Sequence, residues 1–538
     1  MSSDPVAYHL STKHGFNRFA RSAGYLDWAN QPDPFRRYAG TELVPLSHTA
    51  LGAAVSFDSV RAGAVSPSTV DLTTIGEFLR CSLGLSAWKS IRESRWPLRV
   101  NPSSGNLHPT EAYVLWGGQV AHYAAKEHAL EIRARLGAAA WDEWGAGGGF
   151  LVGLTSIPWR ESWKYGERAF RYCQHDLGHA LGALRYAAAL FGWRAAILPR
   201  WSDEATAAVL GIDRPADYDG AERELAECVV GVTPGSVESW VSRAPDRLVA
   251  AARASTWFGR ANQLSRRRVA WDAVETVADA TTYPGREVGE REDPDVPQPA
   301  EPSWPGTNLP ARQILLQRRS AVAFDPRAWL PRPAFAQVLA RLKPIGVPWD
   351  VADWHPCAQL VLFVHRVEDL TPGLYAFVRD PAARERLQSA MRPEFLWEAA
   401  GKGQGDLDGL YLLVPADVTW SAARLSCDQD IAAECAFSLG MLVPLESSVR
   451  ERGPWAYRRL FWECGLIGQV LYLEAEAAGV RGTGIGCYYD DAVHEMLGLG
   501  GVEWQSFYHF AFGVPVEDPR LTTEPGYPWE REDEAEPP

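Results

Sequence analysis

One stretch of this chain repeats another. Phe170 to Ile212 lies over Tyr457 to Leu499 without a gap, with matches at Arg171/Arg458, Gly178/Gly465, Leu184/Leu471, Gly192/Gly479, Arg194/Arg481, Asp203/Asp490 and Gly211/Gly498. Two helices rich in Ala and Leu share apolar positions by chance, but glycines and an aspartate in register are a stronger sign of internal duplication. A chain built from two similar halves must satisfy a pseudo-two-fold interface of the kind a homodimer has. Between the halves, Thr281 to Pro310 carries seven prolines and several acids, which break helices and offer little to bury. The expected organisation is a first domain with an N-terminal extension at 1–280, a linker at 281–310, a second domain at 311–528 and a solvated acidic tail at 529–538.

In each copy an apolar helix, Ala180 to Phe191 or Ile467 to Ala478, ends at a glycine, Gly192 or Gly479, suited to the left-handed position after a helix. A second helix follows, with Ser202-Asp203 or Asp490-Asp491 as N-cap candidates. Runs of β-branched and aromatic residues predict strands at 112–116, 150–154, 228–232, 360–364, 410–414 and 507–512. Interleaved helices and strands make each half an α+β domain, and 538 residues exceed what one core usually supports. A content of 46% hydrophobic and 22% charged residues describes a globular chain. The net charge of -14 removes any general attraction to nucleic acid or anionic lipid, leaving a small molecule or peptide as the expected partner. No apolar run is long enough to span a membrane and the N-terminus lacks the basic and apolar regions of a signal peptide, so a cytoplasmic location is expected. The eight cysteines show no Cys-x-x-Cys spacing, which argues against a disulfide framework or zinc ribbon. His175 and His179 lie four apart, but Asp176 stands where a zincin has Glu and no third ligand is evident, so no metal is expected.

The run from Arg99 to Glu111 holds Pro102-Ser103-Ser104-Gly105-Asn106, a rigid turn with two hydroxyls and an amide. Taken alone these are ordinary turn formers. Followed by His108-Pro109-Thr110-Glu111, they resemble the flavin-contacting Pro-Ser-x-x-Asn segment of the nitroreductase superfamily, particularly its azoline dehydrogenase (SagB/ThcOx-type) branch. Arg318-Arg319-Ser320 with Phe324 resembles the superfamily's opening Arg-Arg-Ser-x-Arg-x-Phe, whose basic side chains hold the FMN phosphate. An isolated Arg-Arg-Ser is usually a solvated helix end, but guanidinium forks and a hydroxyl suit a phosphate dianion. Val322 replaces the second basic position, and Arg520, after the last strand, is the substitute the resemblance suggests. Gly482-Thr483-Gly484-Ile485-Gly486 follows a helix instead of a strand, which rules out a dinucleotide fingerprint. In the resembled family this turn lets the backbone approach one flavin face. Lys164-Tyr165 resembles the pair implicated in proton removal by azoline dehydrogenases; a lysine acts as a base when its pKa is lowered, and an adjacent tyrosine orients it or relays the proton. His9 and Thr12-Lys13-His14 are similar to the branch's N-terminal extension.

These motifs are unevenly divided between the halves. The second-half counterpart of the Pro-Ser run is Trp354 to Ala358, without the hydroxyls or Asn; the first-half counterpart of the glycine turn is Ala195 to Pro199; Glu451 and Arg452 stand opposite Lys164-Tyr165. In nitroreductases the arginines and glycine turn come from one subunit and the Pro-Ser segment from the other. The resemblance therefore implies one complete FMN site across the pseudo-dimer and one eroded site. Cofactor-binding residues would be Pro102, Ser103, Ser104, Asn106, Arg318, Arg319, Ser320, Gly482, Thr483, Gly484, Ile485, Gly486 and Arg520, with Lys164 and Tyr165 catalytic. The implied activity is FMN-dependent oxidation, foremost the dehydrogenation of a thiazoline or oxazoline in a modified peptide, with a nicotinamide or oxygen as electron partner. Two alternatives are a nicotinamide-driven reductase of nitro compounds or quinones, and a flavin-binding protein without turnover.

Overall fold

A computed structural model describes residues 4–530 apart from 53, 146–147, 287–308 and 402–406. Two seven-stranded sheets frame the molecule. Across the first, the order is Glu42–Pro45, Ala129–Arg135, Gln119–Ala124, Thr110–Trp116, Phe150–Ser156, Leu225–Thr233 and Arg194–Ile197. Across the second it is Glu398–Ala399, Leu410–Pro415, Gly373–Phe377, Gln359–Val364, Phe437–Pro444, Trp504–Gly513 and Arg481–Ile485. Neighbours are antiparallel throughout, and six of the seven strands have a counterpart at the same place in the other order; the edge strands that begin each order differ, Glu42–Pro45 preceding the rest of its sheet in sequence and Glu398–Ala399 falling between Gly373–Phe377 and Leu410–Pro415. All six strands expected from sequence fall within these sheets. Phe150–Ser156 and Trp504–Gly513 are buried at every position, because helical side chains pack against both faces of each sheet.

Four helices position the candidate site: α1 (Pro158–Tyr165), α2 (Ala169–Leu190), α3 (Ala311–Gln317) and α4 (Ala456–Ala477). α2 and α4 are 22 residues each, longer than the apolar runs suggest, and both are buried along their whole length because they pack on each other at the centre of the molecule. They cross at the matched glycines. A Cβ on Gly178 would lie 2.3 Å from the Trp462 carbonyl oxygen, and one on Gly465 would lie 2.2 Å from that of His175. The matched charges are reciprocal across the same interface: Arg171 donates to Asp490 at 2.8 Å and Arg458 to Asp203 at 2.7 Å. Burial pushes the Asp490 carboxyl up, but Arg168 and Arg171 outweigh it and hold it well below the usual range.

Ser202 caps its helix by accepting from Ala205 N, and Gly192 and Gly479 take φ of +67° and +71°, as expected. Asp490 does not cap. Tyr489 holds the cap position of Asp490–Leu497 without a side-chain bond, because Arg168, Arg171 and the His14 N–H claim the Asp490 carboxylate. The N-terminal helix Pro5–Ser11 leads into that contact, with the His9 carbonyl also accepting from Arg171.

The chain's end crosses back to the first half. Thr522–Pro525 pairs with Leu85–Ile91, which pairs with Ser94–Arg99 in a separate three-stranded sheet. Trp529 stacks on His48 with centroids 3.6 Å apart and Glu530 pairs with Arg80, so the first residues of the expected solvated tail are docked. Residues 531–538 lie outside the described residues. The linker is likewise anchored at both ends, by Tyr283 OH to the Pro199 carbonyl (2.6 Å) and Phe57 N to the Leu309 carbonyl (3.0 Å), while 287–308 lie outside the described residues. Among the described residues no helix is long and apolar enough to cross a membrane.

Candidate functional site

The Pro-Ser run leaves strand Ser94–Arg99 and turns sharply, with Gly105, Asn106 and His108 at φ of +64°, +57° and +52°. Ser103 Oγ accepts from His108 N at 2.8 Å, and Ser104 donates both its N–H and its hydroxyl to Asp176 Oδ1 of α2 at 3.1 Å. The end of α1 presses on the tip of this turn: a Cβ on Gly105 would lie 2.7 Å from Tyr165 OH and 2.9 Å from Lys164 Nζ. Two separately expected groups thus meet. Lys164 Nζ stands 5.1 Å from the centroid of the Tyr165 ring, which packs on Tyr172 of α2 at 4.3 Å. Burial and then the Glu161 carboxyl push the Tyr165 phenol well above its usual range, so it stays protonated. Asp176 is lifted to about 7 by burial, against the pull of its Ser103 and Ser104 hydrogen bonds. Glu161, one turn before Tyr165, is fully buried with both oxygens unpartnered, and burial followed by Asp176 raises it strongly.

The second half supplies the opposite wall. Arg318, just past α3, is buried over the Tyr472 ring and donates to the carbonyls of Arg99 and Val100, both at 3.1 Å, at the entry to the Pro-Ser turn. Arg319 donates to the carbonyls of Leu316, Arg318 and Ser86. Ser320 Oγ is 2.8 Å from Tyr472 OH, which accepts from Gly484 N at 3.0 Å, and Thr483 Oγ1 donates to the Ala321 carbonyl. The glycine run is an edge strand instead of a turn, because Arg481–Ile485 finds ladder partners on Trp504–Gly513. Its glycines are required by aromatic groups of this chain: Cβ atoms on Gly482, Gly484 and Gly486 would lie 2.4 Å from Phe510, 1.9 Å from Tyr508 OH and 2.3 Å from Tyr172. The Gly486 carbonyl accepts from Tyr172 and Arg168 of the first half.

Arg520 stands apart from this group. Its side chain is 75% exposed and bound to Asp518 at 2.7 Å, a partner two residues away that outcompetes any longer reach. Val322 is exposed. Two cations that the sequence motifs do not mark lie near Arg319 instead. Lys89 and Arg481 lie within electrostatic reach of Arg319, whose pKa burial and Arg318 bring down to about 9; burial and Arg481 lower Lys89. Glu476 and Glu517 offset the cluster in part, Glu517 pairing with Arg481 at 2.8 Å. Like charges held together against their own protonation, beside a buried Ser86 hydroxyl with no partner, fit a phosphate monoester. Arg481 is visible in the sequence as a repeat match; nothing there marks Lys89.

The pseudo-symmetric place is built alike and filled. Glu463, at the repeat position of Asp176, accepts from Cys357 N and Ala358 N at 2.9 Å, just as Asp176 holds Ser104. Arg459, at the position of Tyr172, lies over the Trp462 ring at 4.2 Å among Trp354, Trp455 and Tyr283 and pairs with Asp353. Arg185, at the position of Tyr472, is paired with Asp350 at 2.7 Å. His175 and His179 are buried packing groups: His175 stacks on Tyr508 at 4.2 Å and His179 Nε2 lies 3.2 Å from Tyr508 OH. A cavity of about 600 Å³, bordered by Trp159, Glu222 and Val274 of the first half and Arg458 of the second, holds none of Pro102 to Asn106, Arg318, Arg319 or Gly482 to Gly486.

Together the two sheets and central helix pair are two nitroreductase-like domains joined in one chain as a pseudo-dimer. The whole chain matches the crystal structure of a candidate nitroreductase from Anabaena variabilis with a TM-score of 0.67 and 20% identity, over 95% of this chain and 100% of that one. Partial matches include a candidate nitroreductase from Ralstonia eutropha (TM-score 0.28, 13% identity, 40% of this chain and 97% of that one). Another is the E. coli microcin synthetase McbBCD complex with truncated pro-MccB17 bound (TM-score 0.25, 20% identity, 30% of this chain and 63% of that one). No protein-family model and no curated protein matches the chain.

Proposed function

We propose that the chain is an FMN-dependent oxidoreductase with a single flavin site built from both halves, and that it dehydrogenates an azoline ring in a modified peptide. The reading rests on the contrast between the two pseudo-symmetric places. One combines a crowded cation cluster, a serine hydroxyl and the Pro-Ser turn facing Lys164-Tyr165; the other is occupied by Arg459, its tryptophans and ion pairs. FMN, when bound, supplies a hydride acceptor. Arg319, Lys89, Arg481 and Ser320 hold its phosphate in this reading, and Ser103, Ser104 and Asn106 offer hydroxyl and amide groups to the polar edge of its ring. Arg318 acts through the strand it grips, fixing the Pro-Ser turn against the second half. Lys164 Nζ takes the proton from the substrate carbon, while Tyr165, held protonated by burial, donates a hydrogen bond beside it.

Lys164→Ala combined with Tyr165→Phe tests the assignment. The double variant is expected to retain FMN while anaerobic oxidation of a thiazoline peptide falls by about 10²–10⁴. Flavin reduction by a nicotinamide needs no such proton removal and is expected to change far less. Equal losses in both half-reactions would point to damaged binding, and no loss in either would make the pair structural. Bleaching by nicotinamide but not by azoline in the unaltered protein would favour the nitro or quinone reductase reading.

A further inference from the structure

Five of the cysteines, Cys81, Cys173, Cys228, Cys435 and Cys464, are buried. Cys357 faces the Glu463 carboxylate, and burial together with that charge pushes its thiol well up. Cys427 and Cys487 differ from these six. Both are half-buried, and their sulfurs lie 2.6 Å apart although the residues are 60 positions apart in sequence.

The backbone on both sides is already pinned in that arrangement. Gln429 Nε2 donates to the carbonyls of Cys487 (3.1 Å) and Ser426 (2.6 Å), Tyr489 N donates to the Leu425 carbonyl (2.8 Å), and Tyr489 OH donates to Asp428 Oδ2 (3.1 Å). Cys427 and Asp428 take φ of +57° and +56°, which turns the loop after Leu425 toward Cys487. The pair is also polarised. The hydrogen bond to Cys427, aided by the nearby Arg168 guanidinium, lowers the Cys487 thiol, whereas Cys427 is raised. An accessible thiol beside a cation is the one that attacks, and a fixed neighbouring thiol resolves.

We propose that Cys427 and Cys487 form a redox-active dithiol, oxidised to an intramolecular disulfide by low-molecular-weight disulfides of the glutathione class. The Cys487 thiolate attacks one sulfur of glutathione disulfide, whose S–S bond breaks as the first glutathione thiolate leaves. Cys427 then attacks Cys487 Sγ in the mixed disulfide and expels the second. Two electrons pass from the two cysteines to the external disulfide, and the two cysteine protons end on the two glutathione thiols. The bond joins the 425–430 loop to the residue following Gly486, whose carbonyl receives Tyr172 and Arg168. Nothing in this chemistry requires the flavin reading.

The full chain, reduced with dithiothreitol, is equilibrated in glutathione buffers of rising disulfide fraction, alkylated with iodoacetamide and read by intact mass and peptide mapping. The expected result is a single step in which two thiols become unreactive and one cross-linked pair, Cys427 with Cys487, appears. Cys427→Ser is expected to retain glutathione on Cys487 as a persistent mixed disulfide, and Cys487→Ser to lose both products. The proposal is overturned if both thiols alkylate across the whole range, if the cross-link joins other cysteines, or if glutathione accumulates on Cys427 when Cys487 is absent. Should either variant fail to fold, the titration of the unaltered chain decides alone.

Discussion

Asp176 carries two opposed demands: its carboxyl holds Ser104 by two hydrogen bonds, yet burial lifts its pKa from 3.8 to about 7. A folded pKa above the unfolded value means that the group favours the fold below its ordinary pKa, and that this contribution is lost as pH rises through the folded one. At about 1.4 kcal/mol per pKa unit the effect is a few kcal/mol. Urea stability of the protein minus that of Asp176→Asn is therefore expected to fall as pH rises from about 4 to about 8; parallel curves would remove the assignment. The cation cluster yields a second test at this scale. Lys89→Met is expected to weaken FMN binding by about 1.5–3 kcal/mol, more than tenfold, while leaving riboflavin, which lacks the phosphate, nearly unaffected. Equal losses for both flavins would move the phosphate elsewhere. Lys89 is invisible in sequence because the role proposed for it depends on Arg319 and Arg481 of the second half, Arg319 reaching the Lys89 strand directly at the Ser86 carbonyl.

At the scale of elements, legibility depends on range. Strands, the Ser202 cap and the left-handed glycines after α2 and α4 rest on local preferences and are readable. The glycine run reads as a turn because glycine punctuates loops, whereas its real reason is Tyr508, Phe510 and Tyr172 packing against an edge strand. Asp490 reads as a cap because its partners, Arg168 and Arg171, are 322 and 319 residues away. The repeat carries information that neither half carries alone: Gly178 and Gly465 match because α2 and α4 touch backbone to backbone there. Gly178→Ala and Gly465→Ala are each expected to lower stability by at least the roughly 1–3 kcal/mol of an overpacked core, since the obstacles are backbone atoms. Gly500→Ala, where a Cβ meets nothing within 4 Å, serves as the control. Urea midpoints check all three, and unchanged midpoints at the crossing would mean the helices are not held this closely.

For the whole molecule, covalent joining of the halves lets the two pseudo-symmetric places diverge, as a symmetric homodimer cannot. Shared architecture persists in both: six matched strand positions, reciprocal Arg–Asp pairs, and a carboxylate from α2 or α4 gripping a turn of its own half. The side chains do not match. Lys164-Tyr165 faces an exposed glycine in one place, and Arg459 stacks among tryptophans in the other. One flavin per chain, held by residues of both halves, is the expected stoichiometry. The direct measurement is FMN released from the purified protein on denaturation, quantified against chain concentration after saturation with FMN. One equivalent is the predicted result; two would show that the filled place also binds, and none would contradict the flavin site itself.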